Sequence, residues 1–176
     1  MPTRRTFTIL TAVAWIPLLL FWSLTLWAAP VSPRRPILSH ETQSLADLSR
    51  LRLDVRELPD EFADAKLTRE SIAETMRQIL TDAAFEIVDD PDAPALVLDI
   101  AGLTDEGLPD AMVLWMTYSL KQSVTVHRIE RDLVLPTYWR FSVGLIKSGQ
   151  LERVVNEAVE NNTKSLIRKV QVASNE

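Results

Sequence analysis

From Leu114 to Val126 the chain alternates in character residue by residue. Leu114, Met116, Tyr118, Leu120, Val124 and Val126 fall on one parity, and Trp115, Thr117, Ser119, Lys121, Ser123 and Thr125 on the other, with His127 next in the polar series. Only a β-strand, whose successive side chains point to opposite faces, gathers the first set onto one surface. A strand of this length is not stable alone. It needs neighbours to satisfy its backbone and a layer to cover its apolar face.

The flanking sequence supplies both. Leu51, Leu53 and Val55 alternate with Arg52, Asp54 and Arg56 before the stop at Leu58-Pro59-Asp60, which reads as a first strand. Thr68 then stands as an N-cap before Ile72, Met76, Ile79, Leu80 and Ala83 at helical spacing, with Arg69, Glu70, Glu74, Arg77 and Asp82 on the other side. Phe85 to Val88 gives a short second strand, ended by Asp89-Asp90-Pro91-Asp92. Leu96, Leu98 and Ile100 give a third, ended by Gly102 and an acidic loop through Asp110.

The fifth strand places Leu133, Leu135, Thr137, Trp139, Phe141 and Val143 opposite Tyr138, Arg140 and Ser142, with Pro136 marking a sheet edge or a bulge. Leu151, Val154, Val155, Ala158, Leu166 and Val170 predict a closing helix, with Glu152, Glu157 and Glu160 early and Lys164, Arg168 and Lys169 late, as its dipole favours. The order β-α-β-β-β-β-α predicts an α+β two-layer sandwich, two helices on one face of a mostly antiparallel sheet. Residues 48–173 are expected to form this domain.

Ahead of it lies a stretch of another kind. Residues 7–29 hold no charge and follow Arg4 and Arg5, and twenty-three such residues can cross a bilayer. Length favours an uncleaved anchor. The basic head and the small pair Ala28-Ala29 suit a cleaved signal, although Leu26, Trp27 and Pro30 crowd either cleavage position. Thr3-Arg4-Arg5-Thr6-Phe7 resembles a twin-arginine export signal and departs from it at Thr8 and Ile9; an ordinary positive-inside head is the other reading. Either way the body is expected outside the cytoplasm, anchored in the inner membrane or free in the periplasm. Pro30, Pro33 and Pro36 mark residues 30–47 as a spacer.

Charge and residue types then exclude several functions. The net charge is −5, and since residues 1–29 contribute only two arginines, the remainder carries −7, a poor match for nucleic acid. There is no cysteine, hence no thiolate metal site and no cysteine nucleophile. His40 and His127 stand apart without ligand-spaced partners. The carboxylates Asp89, Asp90 and Asp92, and likewise Asp105, Glu106 and Asp110, lack the spacing and central glycine of a calcium loop. Glu70 and Glu74, one helical turn apart, are a common exposed spacing, and Asn161-Asn162-Thr163 lies inside a predicted helix. No phosphate-cradling glycine loop or nucleophile elbow occurs. No catalytic residue, metal or cofactor is expected.

An export segment followed by this element order, with Leu96 to Ile100 leading into Leu114 to Val126, resembles the lipopolysaccharide-assembly lipoprotein family over residues 48–170. The resemblance implies a small envelope domain without enzymatic activity. That family is lipid-anchored through a cysteine that this chain lacks, so neither its attachment nor its partner carries over. The expected role is a binding or assembly module of the bacterial envelope, with a structural domain or an unrecognised enzyme as alternatives.

Strand phase locates the candidate surface. If the core takes the even residues of the fourth strand and the odd residues of the fifth, Trp139 and Phe141 are buried with Leu120 and Ile79. A hairpin pairing Arg128 with Leu133 then sets Phe141 opposite Leu120 and Arg140 opposite Lys121. The open face so defined would present Trp115, Lys121, Tyr138 and Arg140 to an acidic or mixed protein partner, or would be a bare solvated face with one incidental tryptophan.

Overall fold

In the computed structural model the described residues are 38–108 and 110–175, so the amino-terminal segment lies outside them. Strands β1 (Arg50–Val55), β2 (Glu86–Ile87), β3 (Ala95–Thr104), β4 (Ala111–Val126) and β5 (Arg131–Lys147) form one sheet in the order β2-β1-β3-β4-β5. β1 runs parallel to both β2 and β3, whereas the longer β3–β4 and β4–β5 ladders are antiparallel. The helices are α1 (His40–Gln43), α2 (Arg69–Asp82) and α3 (Leu151–Ser174). The architecture is an α+β sandwich with α2 and α3 side by side over one face of a mixed sheet.

Local chemistry accounts for the helix ends. The Thr68 hydroxyl accepts a hydrogen bond from Ser71 N–H at 3.0 Å while the Ser71 hydroxyl accepts one from Thr68 N–H at 3.2 Å, a reciprocal cap that starts α2. α2 buries Ile72, Met76 and Leu80, then stops at Ala84, whose positive φ of 65° reverses the chain and delivers Phe85 into the core. Leu151, Val155, Val159, Thr163, Leu166, Val170 and Ala173 line the inner side of α3. On its outer side the predicted Glu160–Lys164 pair forms.

The even residues of β3 and β4 meet these helices. Leu96, Leu98, Ile100, Met112, Leu114, Met116, Tyr118 and Leu120 are all buried. Tyr118 is fully enclosed, and its hydroxyl donates to Thr163 Oγ1 at 3.0 Å, which in turn donates to the Val159 carbonyl at 2.8 Å. Burial therefore pushes the Tyr118 phenol well above its ordinary range, with the hydrogen bond between Tyr118 and Thr163 opposing the shift in part. Phe62, carried on a 3-10 turn at Asp60–Ala65, closes one end of the core against Gly102.

Residues 38–47, which composition places in the spacer, include α1 and Leu45, whose side chain has no exposure at all. Glu41 pairs with Lys169 at 2.7 Å, and Asp47 N–H donates to Ser174 Oγ at 3.2 Å, fastening this stretch to α3. The sequence shows no periodicity here because a single buried leucine is enough to anchor ten residues.

The β4–β5 hairpin departs from expectation in register and phase. Val126 faces Arg131, leaving the four-residue connection His127 to Glu130, and Leu120 faces Tyr138 rather than Phe141. A bulge at Leu120/Lys121 separates the Leu120–Tyr138 pair from the Lys121–Pro136 pair and leaves Thr137 unopposed. Beyond it, towards the hairpin tip, even residues of β4 face odd residues of β5, as in Val124 with Leu133. Before it, even faces even. The extra residue flips β5 over, so Tyr138 is buried and Trp139 and Phe141, expected in the core, are 56% and 53% exposed.

Candidate functional site

The flip creates a surface. Directly opposed residues share a face, so the ladder arranges the side of the sheet away from the helices in rows: Leu103, Val113 and Leu145; Ala101, Trp115 and Val143; Asp99, Thr117 and Phe141; Val97, Ser119 and Trp139. Seven of these are large apolar side chains left open to solvent: Leu103 (63%), Val113 (36%), Trp115 (38%), Trp139 (56%), Phe141 (53%), Val143 (63%) and Leu145 (68%). Trp139 and Phe141 stack with centroids 5.9 Å apart and planes 13° from parallel.

The extent of this surface decides how it is read. With each side chain's full extent taken as about 150–250 Å², the exposed fractions amount to roughly 700 Å² of contiguous apolar surface. The largest patch on an ordinary soluble monomer is about 300–600 Å², so this one is at or beyond that limit. Single exposed apolar residues are common on any protein; three adjacent strands of them are not.

Of the four side chains expected together here, Trp115 lies in the patch and Lys121 on the same side beside the bulge. Tyr138 and Arg140 lie on the helix side. Tyr138 is buried, edge-on to Tyr118 at 6.5 Å, with Lys169 Nζ 5.0 Å from its ring centroid. Arg140 is exposed, and its Nε donates to the Tyr138 hydroxyl at 3.3 Å, a bond that raises the guanidinium above its ordinary value. Arg140 and Lys121 are therefore not opposed across the ladder, and the repulsion expected between them does not arise.

Trp139, Phe141, Val143 and Leu145 are what phase reasoning missed. The signal was Pro136. Proline cannot donate a ladder hydrogen bond and so marks a bulge, and a bulge reverses the side on which every following residue points. From the bulge onward β5 offers its helix side only Tyr138, Arg140, Ser142, Gly144 and Ile146, and the small residues there leave a 160 Å³ apolar cleft against Val154 and Ala158 of α3.

The remaining candidates fall into ordinary surroundings. Asp90 accepts from Asp92 N–H at 3.0 Å and pairs with Arg50 at 3.1 Å, and Asp105 accepts from Gly107 N–H at 2.8 Å. Glu74 pairs with Arg77 within α2, His40 lies in α1 and His127 in the exposed hairpin connection. Among the described residues no three acidic or histidine side chains converge as a metal site, and no helix is long and apolar enough to cross a membrane.

No protein-family model matches the chain, and no curated protein matches it. Among the solved structures similar to it are three lipoproteins. A minor lipoprotein from Acinetobacter baumannii aligns at 14% identity and a TM-score of 0.39, over 71% of this chain and 92% of that one. The rare lipoprotein B from Shewanella oneidensis aligns at 14% and 0.36, over 69% and 94%. An uncharacterized lipoprotein B from Nitrosomonas europaea aligns at 11% and 0.34, over 72% and 86%.

Proposed function

We propose that this protein is a non-enzymatic binding or assembly module of the bacterial cell envelope, and that the open face of β3, β4 and β5 is its docking surface. The observation that carries the reading is the apolar patch. Burying roughly 700 Å² of such surface is worth on the order of 15 kcal/mol before the costs of association, enough to favour occupation. The ladder beneath fixes the backbone, so only side chains need ordering when a partner docks.

The uncharged run of residues 7–29 behind Arg4 and Arg5 supports placement outside the cytoplasm, with that segment serving as signal or anchor and residues 30–37 as the spacer. The acidic body disfavours nucleic acid as the partner.

The test replaces Trp139 and Phe141 together with glutamate in the full-length chain and compares the native complexes isolated from membranes. Both side chains are more than half exposed, so the domain should stay folded, with the melting temperature lower by roughly 6–16 °C, while the complex shrinks. A complex of unchanged size would remove the open face as the docking surface.

A further inference from the structure

We propose that the partner on this face is a second copy of the same chain, packed sheet against sheet. This rests on the docking reading above and names its occupant. Three observations point to self-association. The first is area: two such patches together give roughly 1,400 Å², inside the range of about 1,200–2,000 Å² that stable, specific interfaces bury.

The second is relief. Along the β5 edge, Trp139, Phe141, Val143 and Leu145 form a ridge, each more than half exposed. Beside it, Ser119 and Thr117 on β4 form a trough of small side chains. A two-fold axis running between β4 and β5 lays the ridge of one copy over β4 of the other, Trp139 over Ser119 and Phe141 over Thr117. The surface thereby complements itself, as an isologous interface requires, with the sheets about 10 Å apart.

The third is charge. Self-association brings together two bodies that each carry −7, a cost through their net repulsion. The seven apolar residues are neutral, and the ladders put charged groups of both signs around them on the same face, Asp54 and Asp99 with Lys121 and Lys147. No field of a single sign keeps two copies apart.

The chain contains no cysteine, so Val143→Cys introduces a unique thiol on the ridge. It is labelled with a benzophenone maleimide in the full-length protein in its native membrane and then illuminated. The expected product is an adduct of twice 19.9 kDa whose peptides all come from this chain. Adding Trp139→Glu should remove most of it, with Phe141→Ser as an independent second variant. The same label at Gln78→Cys, on the exposed side of α2, should give no such band. An adduct to another protein, to lipid or confined to one chain would overturn the second copy and leave the docking face standing. A ridge label that reacts with nothing would overturn both.

Discussion

Replacing Tyr138 by alanine should unfold this domain far more readily than replacing Phe141, although the two lie on the same strand and hydropathy ranks them the other way. Tyr138 is 1% exposed, edge-on to Tyr118 at 6.5 Å and capped by Lys169 at 5.0 Å. Removing a buried aromatic costs about 3–5 kcal/mol. At roughly 3–4 °C per kcal/mol for a domain of this size, the melting temperature should fall by about 10–20 °C. Phe141 keeps 53% of its surface in water, so its ring forfeits less than half of that burial, about 1–2 kcal/mol or roughly 3–8 °C. Melting followed by circular dichroism, extrapolated to dilute protein, removes any contribution from association. If Phe141→Ala proves as damaging as Tyr138→Ala, the bulge at Leu120/Lys121 and the phase of β5 derived from it are wrong.

Other consequences follow from single contacts. Tyr118→Phe leaves the buried Thr163 oxygen without its donor and should cost about 1–2 kcal/mol by urea titration. Because the folded-state pKa of Tyr118 is raised, its contribution is fully present below its ordinary value of 10.0. Stability should therefore fall as pH climbs past that point, less steeply in Tyr118→Phe, as alkaline melting curves would show. A Cβ at Gly102 would sit 2.8 Å from the Phe62 ring, so Gly102→Ala should destabilise by about 1–3 kcal/mol. Gly144→Ala meets nothing within 4 Å and should be neutral or stabilising in the same melts. Ala84→Gly, relieving a φ of 65°, should gain about 0.5–1 kcal/mol. A reporter active only in the cytoplasm, fused after Glu176, should stay silent, and strong activity would reverse the proposed topology.

Much of this fold can be read in the sequence where a single period runs unbroken. Leu114 to Leu120 alternate without interruption and are buried as their parity requires, and Thr68 caps α2 because a threonine at that point has a backbone donor within reach. Parity fails where one residue is inserted. Pro136 announces a bulge, but its position relative to β4 depends on which register buries more, and the side chains of β5 are apolar on both parities near the bulge. Leu135 and Trp139 look like one stripe and lie on opposite faces. Tyr138, with a polar hydroxyl and neighbours Trp139 and Arg140, gives no hydropathy signal that it belongs inside. Its burial is set by Leu120 across the ladder and by Tyr118 and Lys169, contacts distant in sequence. The open face was anticipated through Trp115 and Lys121, and its greasier half through none of its residues.

The most direct test of the docking face is hydroxyl-radical footprinting of the full-length chain, once in its native membrane and once purified and diluted. Oxidation of Trp115, Trp139 and Phe141 should drop several-fold in the membrane sample, while His127 in the exposed hairpin connection reacts alike in both. Equal oxidation of the three aromatics in the two samples would mean that nothing covers the open sheet, and the account given for it would be wrong.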